Sequence, residues 1–323
     1  MGAPMVIKWT DAGTPTLSRA ASSLIGVLDY CLPQKGWTKV FSGTDKAVYR
    51  AGSGERKFFR VLNDGSFYYS GTTYQYCHAK ITAYDSMTDV DTGTGQWGEQ
   101  YFNLSAIGTA VPRPWMCVFN ETTLLFVCLP TKTTGLTLAT SNSNLLGLGD
   151  TLAALPGNSS RSFLAGVSLY NPPANYSSIV CPLAEGTGAN ILKIRCNRSL
   201  DSARTNIDCG LFNNGGRSGV DNGSLYPFGR SSAAVLDYPY NGELLYGRPM
   251  LNDALAQSMG DYIPGLFYPC QKGNTLDNWG AYTADVTSFI GVRVVSSTGA
   301  NFDTTIISDI GAVLISLAGG HWT

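Results

Sequence analysis

Apolar positions along this chain recur with a period near two in most segments and with a helical period in one. Over residues 15–32, Leu17, Ala20, Ala21, Leu24, Ile25, Leu28, Cys31 and Leu32 are three or four apart, and Ser18, Arg19, Ser22, Ser23, Gly26 and Asp29 fall largely on the other face. That spacing predicts a helix with one side on the core. Thr14 is placed to cap it, Pro15 to occupy its first position and Pro33 to end it.

Short β-type runs follow at 37–41, 47–50, 58–62 and 79–84. They are separated by Ser42-Gly43-Thr44-Asp45, Ala51-Gly52-Ser53-Gly54 and Asn63-Asp64-Gly65, which are turn clusters. The clearest hairpin runs from Trp115 to Leu129. A turn centred on Thr122-Thr123 would set Cys117 opposite Cys128 and Phe119 opposite Phe126. Both of its flanks are apolar on both faces, so it is expected to lie centrally.

Beyond it, 131–162 has little periodicity and marks the softest boundary. Residues 145–155 read as turns, 251–259 are compatible with a short helix, and 213–223 form a glycine-rich surface loop without a phosphate-binding pattern. Strand runs recur at 163–170, 178–181, 191–196, 207–212, 233–238, 290–295 and 305–317. The expected fold class is mainly β, α+β at most. It consists of antiparallel sheets packed as sandwiches with one N-terminal helix over about residues 15–32. Two domains are expected, 1–140 with the helix and an antiparallel sheet, and 141–323 as a second β-rich unit.

Composition narrows the function classes. Charged residues make up 14% of the chain and the formal net charge is -1, so there is no basic footprint for nucleic acid. The longest apolar stretch, 310–318, is broken by Gly311 and Ser316 and is too short for a membrane span. The first residues lack the pattern of a secretory signal or a myristoylation site. The eight cysteines include no CxxC pair, which excludes zinc-finger spacing and favours reduced, buried thiols. The Asn-x-Ser/Thr sites read as ordinary turns.

Candidate chemistry is sparse. Asp85, Asp89 and Asp91 are the candidate metal ligands, because Asp89-x-Asp91-x-Gly93 resembles part of a calcium loop. The closing glutamate of such a loop is missing, and aspartates that cap a turn are the competing reading. Cys77 and His78 are adjacent on a strand and so face opposite ways, which argues against a nucleophile–base pair. The other histidine is His321. Asp85, Asp89, Asp91, Asp237 and Glu243 are the acids from which a glycosidase pair would have to be drawn, and nothing in the sequence singles out two of them. No hydrolase elbow, metalloprotease or dinucleotide motif occurs, and no cofactor is indicated.

Several blocks, taken in order, resemble a family of virion structural proteins of tailed bacteriophages. These are Trp9-Thr10-Asp11-Ala12-Gly13-Thr14-Pro15 with the helix after it, Gly36-Trp37-Thr38-Lys39-Val40-Phe41 continuing to Arg50, and Phe58-Phe59-Arg60-Val61. Ala83-Tyr84-Asp85-Ser86-Met87-Thr88-Asp89-Val90-Asp91 continuing to Gly95, Arg113-Pro114-Trp115, Ile263-Pro264-Gly265-Leu266-Phe267-Tyr268-Pro269 and the Trp322 terminus complete the set. The similarity is concentrated in 8–130 and 260–270, and 131–245 departs most. It implies a non-enzymatic subunit assembled in the bacterial host cytoplasm and located in the virion, at the head surface, the neck or collar, or the tail. Its partners would be copies of itself and other virion proteins (capsid, connector or tail). The alternative within this resemblance is a receptor-binding or glycan-degrading tail protein, with Tyr238 and Tyr240 beside Asp237 meeting a host surface glycan. The working surface is expected in the loops 86–97 and 213–232 and in the divergent middle.

Overall fold

The computed structural model describes residues 2–65, 69–70, 75–77, 79–102, 104, 112–128, 144–153, 161–166, 168–169, 179–180, 194–198, 205–212, 246–253, 258–269, 281–284, 286–296 and 308–323. These form antiparallel sheets in three layers with one α-helix. The N-terminal sheet runs in the order Thr38–Gly43, Lys46–Arg50, Phe58–Leu62, Ala79–Met87, Gly93–Phe102. The C-terminal sheet runs Tyr246–Gly247, Leu266–Pro269, Ser308–Ser316, Thr287–Ser296, Ala281–Ala284.

Between them lies the central sheet. Its order begins Met5–Lys8, Trp115–Phe119, Thr123–Cys128, Asn144–Asp150, and continues Ser162–Ala165, Ile194–Arg198, Thr205–Phe212, Met250–Asp253, Ser258–Tyr262. The last strand, Leu152–Ala153, pairs Leu152 with Tyr262 and Ala153 with Asp261. It is also the direct continuation of Asn144–Asp150 through Thr151. The ladder therefore returns to the segment it left, and this part of the sheet closes into a ring. The boundary placed at 140/141 falls between two hydrogen-bonded neighbours, Thr123–Cys128 and Asn144–Asp150, so the two halves of the chain share one sheet.

Alternation along the central hairpin supplies both cores. Trp115, Cys117, Phe119, Leu124, Phe126 and Cys128 pack with the helix and the N-terminal sheet. Met116, Val118, Leu125 and Val127 pack with the C-terminal sheet. All of these side chains are buried, which is why neither flank of the hairpin shows a polar face. The register differs from the expected one by two residues: Cys117 faces Phe126, and Leu124 faces Phe119. The cause is Asn120. Its Oδ1 accepts from Thr122 N (2.9 Å), Thr123 N (2.8 Å) and Thr122 Oγ1 (3.1 Å), which centres the turn on Glu121-Thr122 instead of Thr122-Thr123. An even shift keeps every side chain on its face.

The helix is shorter than its apolar period. It spans Ser23–Cys31 and is capped at Leu32, directly before Pro33, where a 3-10 turn, Leu32–Lys35, takes over. Residues 15–22 are not helical. Leu17 instead bridges Arg113, and Thr14 uses its hydroxyl to donate to the carbonyls of Trp9 and Asp11. The cap comes from a distant turn: Asn63 Oδ1 accepts from Leu24 N at 2.9 Å, and Asn63 O accepts from Ser22 N at 2.6 Å. Two other segments differ from their sequence reading. Residues 145–150 belong to the strand Asn144–Asp150, where Leu145 faces one core and Leu146 and Leu148 the other, which erases the alternation. Met250–Asp253 and Ser258–Tyr262 are paired strands where a short helix was compatible with the sequence.

Conserving the relative placement of the layers falls to a few joints between distant segments. Trp9 N donates to Trp115 O (3.1 Å), Trp115 Nε1 to Pro15 O (3.2 Å) and Arg113 N to Leu17 O (2.8 Å). At the first strand, Asp11 Oδ2 accepts from Lys8 N (2.8 Å) while Asp11 N donates to Lys8 O (3.0 Å). At the other end, Gly265 adopts φ +71, and a side chain there would lie 2.3 Å from the Trp322 ring. Gly265 N donates to His321 O (2.9 Å) and Trp322 Nε1 to Ser316 O (2.8 Å). Asn120 ties both ends together. Its O accepts from Trp37 Nε1 (2.8 Å), and its Nδ2 donates to Trp322 O (3.2 Å).

Asn120→Ala is expected to lower stability by about 2–4 kcal/mol, since it leaves buried N–H groups of the turn without their acceptor. Chemical denaturation followed by tryptophan fluorescence measures this, and an unchanged midpoint would remove the turn from the list of determinants.

Candidate functional site

A buried polar cluster lies where the central sheet closes at Thr151. Strand alternation sends Asp150 and Ser162, which are direct cross-strand partners, to one face. It sends Arg161 and Asp261 to the other, since Arg161 is in phase with Phe163 and Ala165, and Asp261 lies opposite Leu251, all three apolar residues belonging to the second core.

On the first face, Asp150 Oδ1 accepts from Ser162 Oγ (2.9 Å) and Oδ2 from Glu55 N (2.7 Å). The loop carrying Glu55 approaches this closely because Gly54, at φ +77, has no Cβ; one would lie 1.9 Å from Asp150 Oδ2. Glu55 itself pairs with Arg198 (3.0 Å), and Ser162 N donates to Asn197 Oδ1 (3.0 Å). Burial pushes the Asp150 carboxyl up to about 6, against the hydrogen bonds from Glu55 N and Ser162, and the Glu55 charge adds to the rise.

On the second face, Arg161 Nε donates to Asp261 Oδ2 at 2.9 Å, with the two side chains 1% and 0% exposed. Thr151 Oγ1 donates to the same oxygen (2.5 Å) and accepts from Arg161 N (3.0 Å). Arg161 Nη1 donates to Arg198 O (3.3 Å) and lies 3.9 Å from Cys209 Sγ. Burial works against the guanidinium charge, but Cys196, Cys209 and Asp261 around it outweigh that and its pKa is raised. The cluster can take up a proton at Asp150 near pH 6 and otherwise binds chain to chain.

The residues expected from sequence to carry chemistry are placed elsewhere and apart from one another's use. Asp85 is paired with Lys57 (2.8 Å). Asp91 is held by Lys46 (2.8 Å) and Arg60 (3.5 Å). Asp89 Oδ1 accepts from Asp91 N and Thr92 N, both at 2.7 Å, so it caps the turn; these backbone hydrogen bonds lower its pKa. Among the described residues, no three His, Cys, Asp or Glu side chains are grouped to share a metal ion. His321 Nδ1 is 2.8 Å from Ser316 Oγ, and its ring lies 4.6 Å from that of Phe267, within the C-terminal joint. His78, Asp237, Tyr238, Tyr240, Glu243 and the loop 213–232 lie outside the described residues.

Cys31, Cys117, Cys196 and Cys209 are free thiols, and all four are buried, as is Cys128. Burial, followed by a hydrogen bond with Cys31, raises the pKa of Cys117, and burial pushes Cys128 up to about 11. A hydrogen bond with Cys209, followed by burial, raises Cys196. All three are protonated and poorly nucleophilic at neutral pH. No helix among the described residues is long and apolar enough to cross a membrane. No protein-family model matches the chain, and no curated protein matches it.

Asp150 gives the fold a defined pH response. Its folded pKa of about 6 exceeds the ordinary carboxyl value, so between about pH 4 and that value the native state keeps a proton the unfolded chain has released. Stability therefore falls as pH rises through this window and is flat in this respect above it. Relative to Asp150→Asn, the wild type is expected to lose about 3 kcal/mol across the window. Denaturation midpoints at pH 4 and pH 7 test this, and parallel behaviour of the two chains would refute it.

Proposed function

We propose that the chain is a non-enzymatic structural subunit of a tailed-bacteriophage virion. In this reading it assembles with copies of itself and with other virion proteins at the head surface, the neck or collar, or the tail. The observation that carries the reading is where the resembling blocks meet. The Trp9–Pro15 block is bonded to Arg113-Pro114-Trp115, and the Ile263–Pro269 block to the Trp322 terminus. These segments join layers of the fold. The resemblance therefore rests on residues that keep a subunit's shape, which is what an assembly component needs. The three flagged aspartates support the same reading, because lysine, arginine or backbone N–H groups occupy each of them.

Under this reading the partners are met by side chains and loops without covalent chemistry, and repeated copies are related by closed symmetry. The test is a density map of the whole particle together with the copy number of this chain. A multi-copy ring or lattice position is expected. A position at an exposed tail tip, with binding or release of host oligosaccharide by the purified chain, would overturn the structural reading in favour of a receptor-binding or glycan-degrading protein.

A further inference from the structure

We propose that the ring closure at Thr151 contains a built site for one water molecule, held between Arg161 Nη2 and Asp261 Oδ1. Both side chains are at most 1% exposed, and these two atoms make no hydrogen bond, although every other polar atom of the pair is engaged. One is a donor and the other an acceptor. On a guanidinium, the Nε–H and one Nη2–H point to the same side. Here Nε is already bound to Asp261 Oδ2. Nη2 therefore faces the carboxylate side of the guanidinium, and Oδ1 belongs to the carboxylate that Nε holds, so the unmet donor and the unmet acceptor flank one hydrogen bond.

The chemistry of the two atoms selects the occupant. An anion would face the Asp261 carboxylate, and a cation would face the Arg161 guanidinium. A neutral molecule that accepts one hydrogen bond and donates another suits both. The burial of the pair limits that molecule to the smallest such species, which is water. The bridge completes the hydrogen bonding of a charge pair that would otherwise keep two unmet polar atoms in the interior. It also places the hydrated pair at the seam where Leu152–Ala153 joins Ser258–Tyr262.

A crystal structure of the full chain at about 1.5 Å tests the proposal, with a water oxygen expected within about 3.2 Å of both Nη2 and Oδ1. Direct two-point contact between guanidinium and carboxylate, or no density between the two atoms, would overturn it. Replacing both partners, Arg161→Met with Asp261→Leu, removes the donor and the acceptor together, so the same water is expected to be lost. Its persistence would show that other groups hold it and would also overturn the assignment. If that variant does not fold, the wild-type map decides alone.

Discussion

The fold depends on one buried amide. Asn120 has every hydrogen-bonding group engaged, and its partners come from three parts of the chain: its own turn, Trp37 after the helix, and Trp322 at the end of the described structure. The turn sets the register of the hairpin that faces both cores. The contact with Trp37 seats the first layer on that hairpin, and the contact with Trp322 seats the third. A single residue, through its side-chain amide and its main-chain carbonyl, thus coordinates three decisions that apolar burial leaves open, because burial favours any arrangement that removes the same area from water.

The polar cluster at the sheet closure works by a different balance. A pair as buried as Arg161 and Asp261 gains little net stability, since desolvation offsets most of the attraction. Its stronger effect is on specificity. A register slip between Ala153 and Asp261 would move Asp261 to the opposite face and separate it from Arg161. Asp150 plays the matching part on the outer face, where a carboxyl and a glycine together admit the loop carrying Glu55.

The sequence and the structure agree where local pattern is sufficient. Mainly antiparallel β architecture, one N-terminal helix and a hairpin buried on both faces were all legible, because each follows from periodicity or from its absence. What failed depended on partners distant in sequence. The helix period runs on through Leu17 because that residue is buried, but it is buried as a bridge to Arg113, and the true cap is Asn63. The hairpin register turned on the choice between Asn120 and the threonine pair. The polar cluster was invisible for the same reason: Arg161 and Asp261 are 100 residues apart. A lone charge flanking an apolar strand, as Arg161 precedes Phe163-Leu164-Ala165, is the one local hint available. The Asp89 motif showed the converse problem, since the same letters describe a metal loop and a capped turn.

Asp11 has a consequence for how copies of this chain can meet. The strand Met5–Lys8 is an outer strand of the central sheet, and Lys8 turns both its N–H and its C=O toward Asp11. By alternation Val6 and Pro4 share that outward side, and proline has no N–H to offer. A neighbouring chain seeking to extend the sheet here would find a rim already stoppered at one end and lacking a donor at the other. Growth by adding strands is thereby discouraged along this border, so this edge of the sheet is a poor template for a fibre.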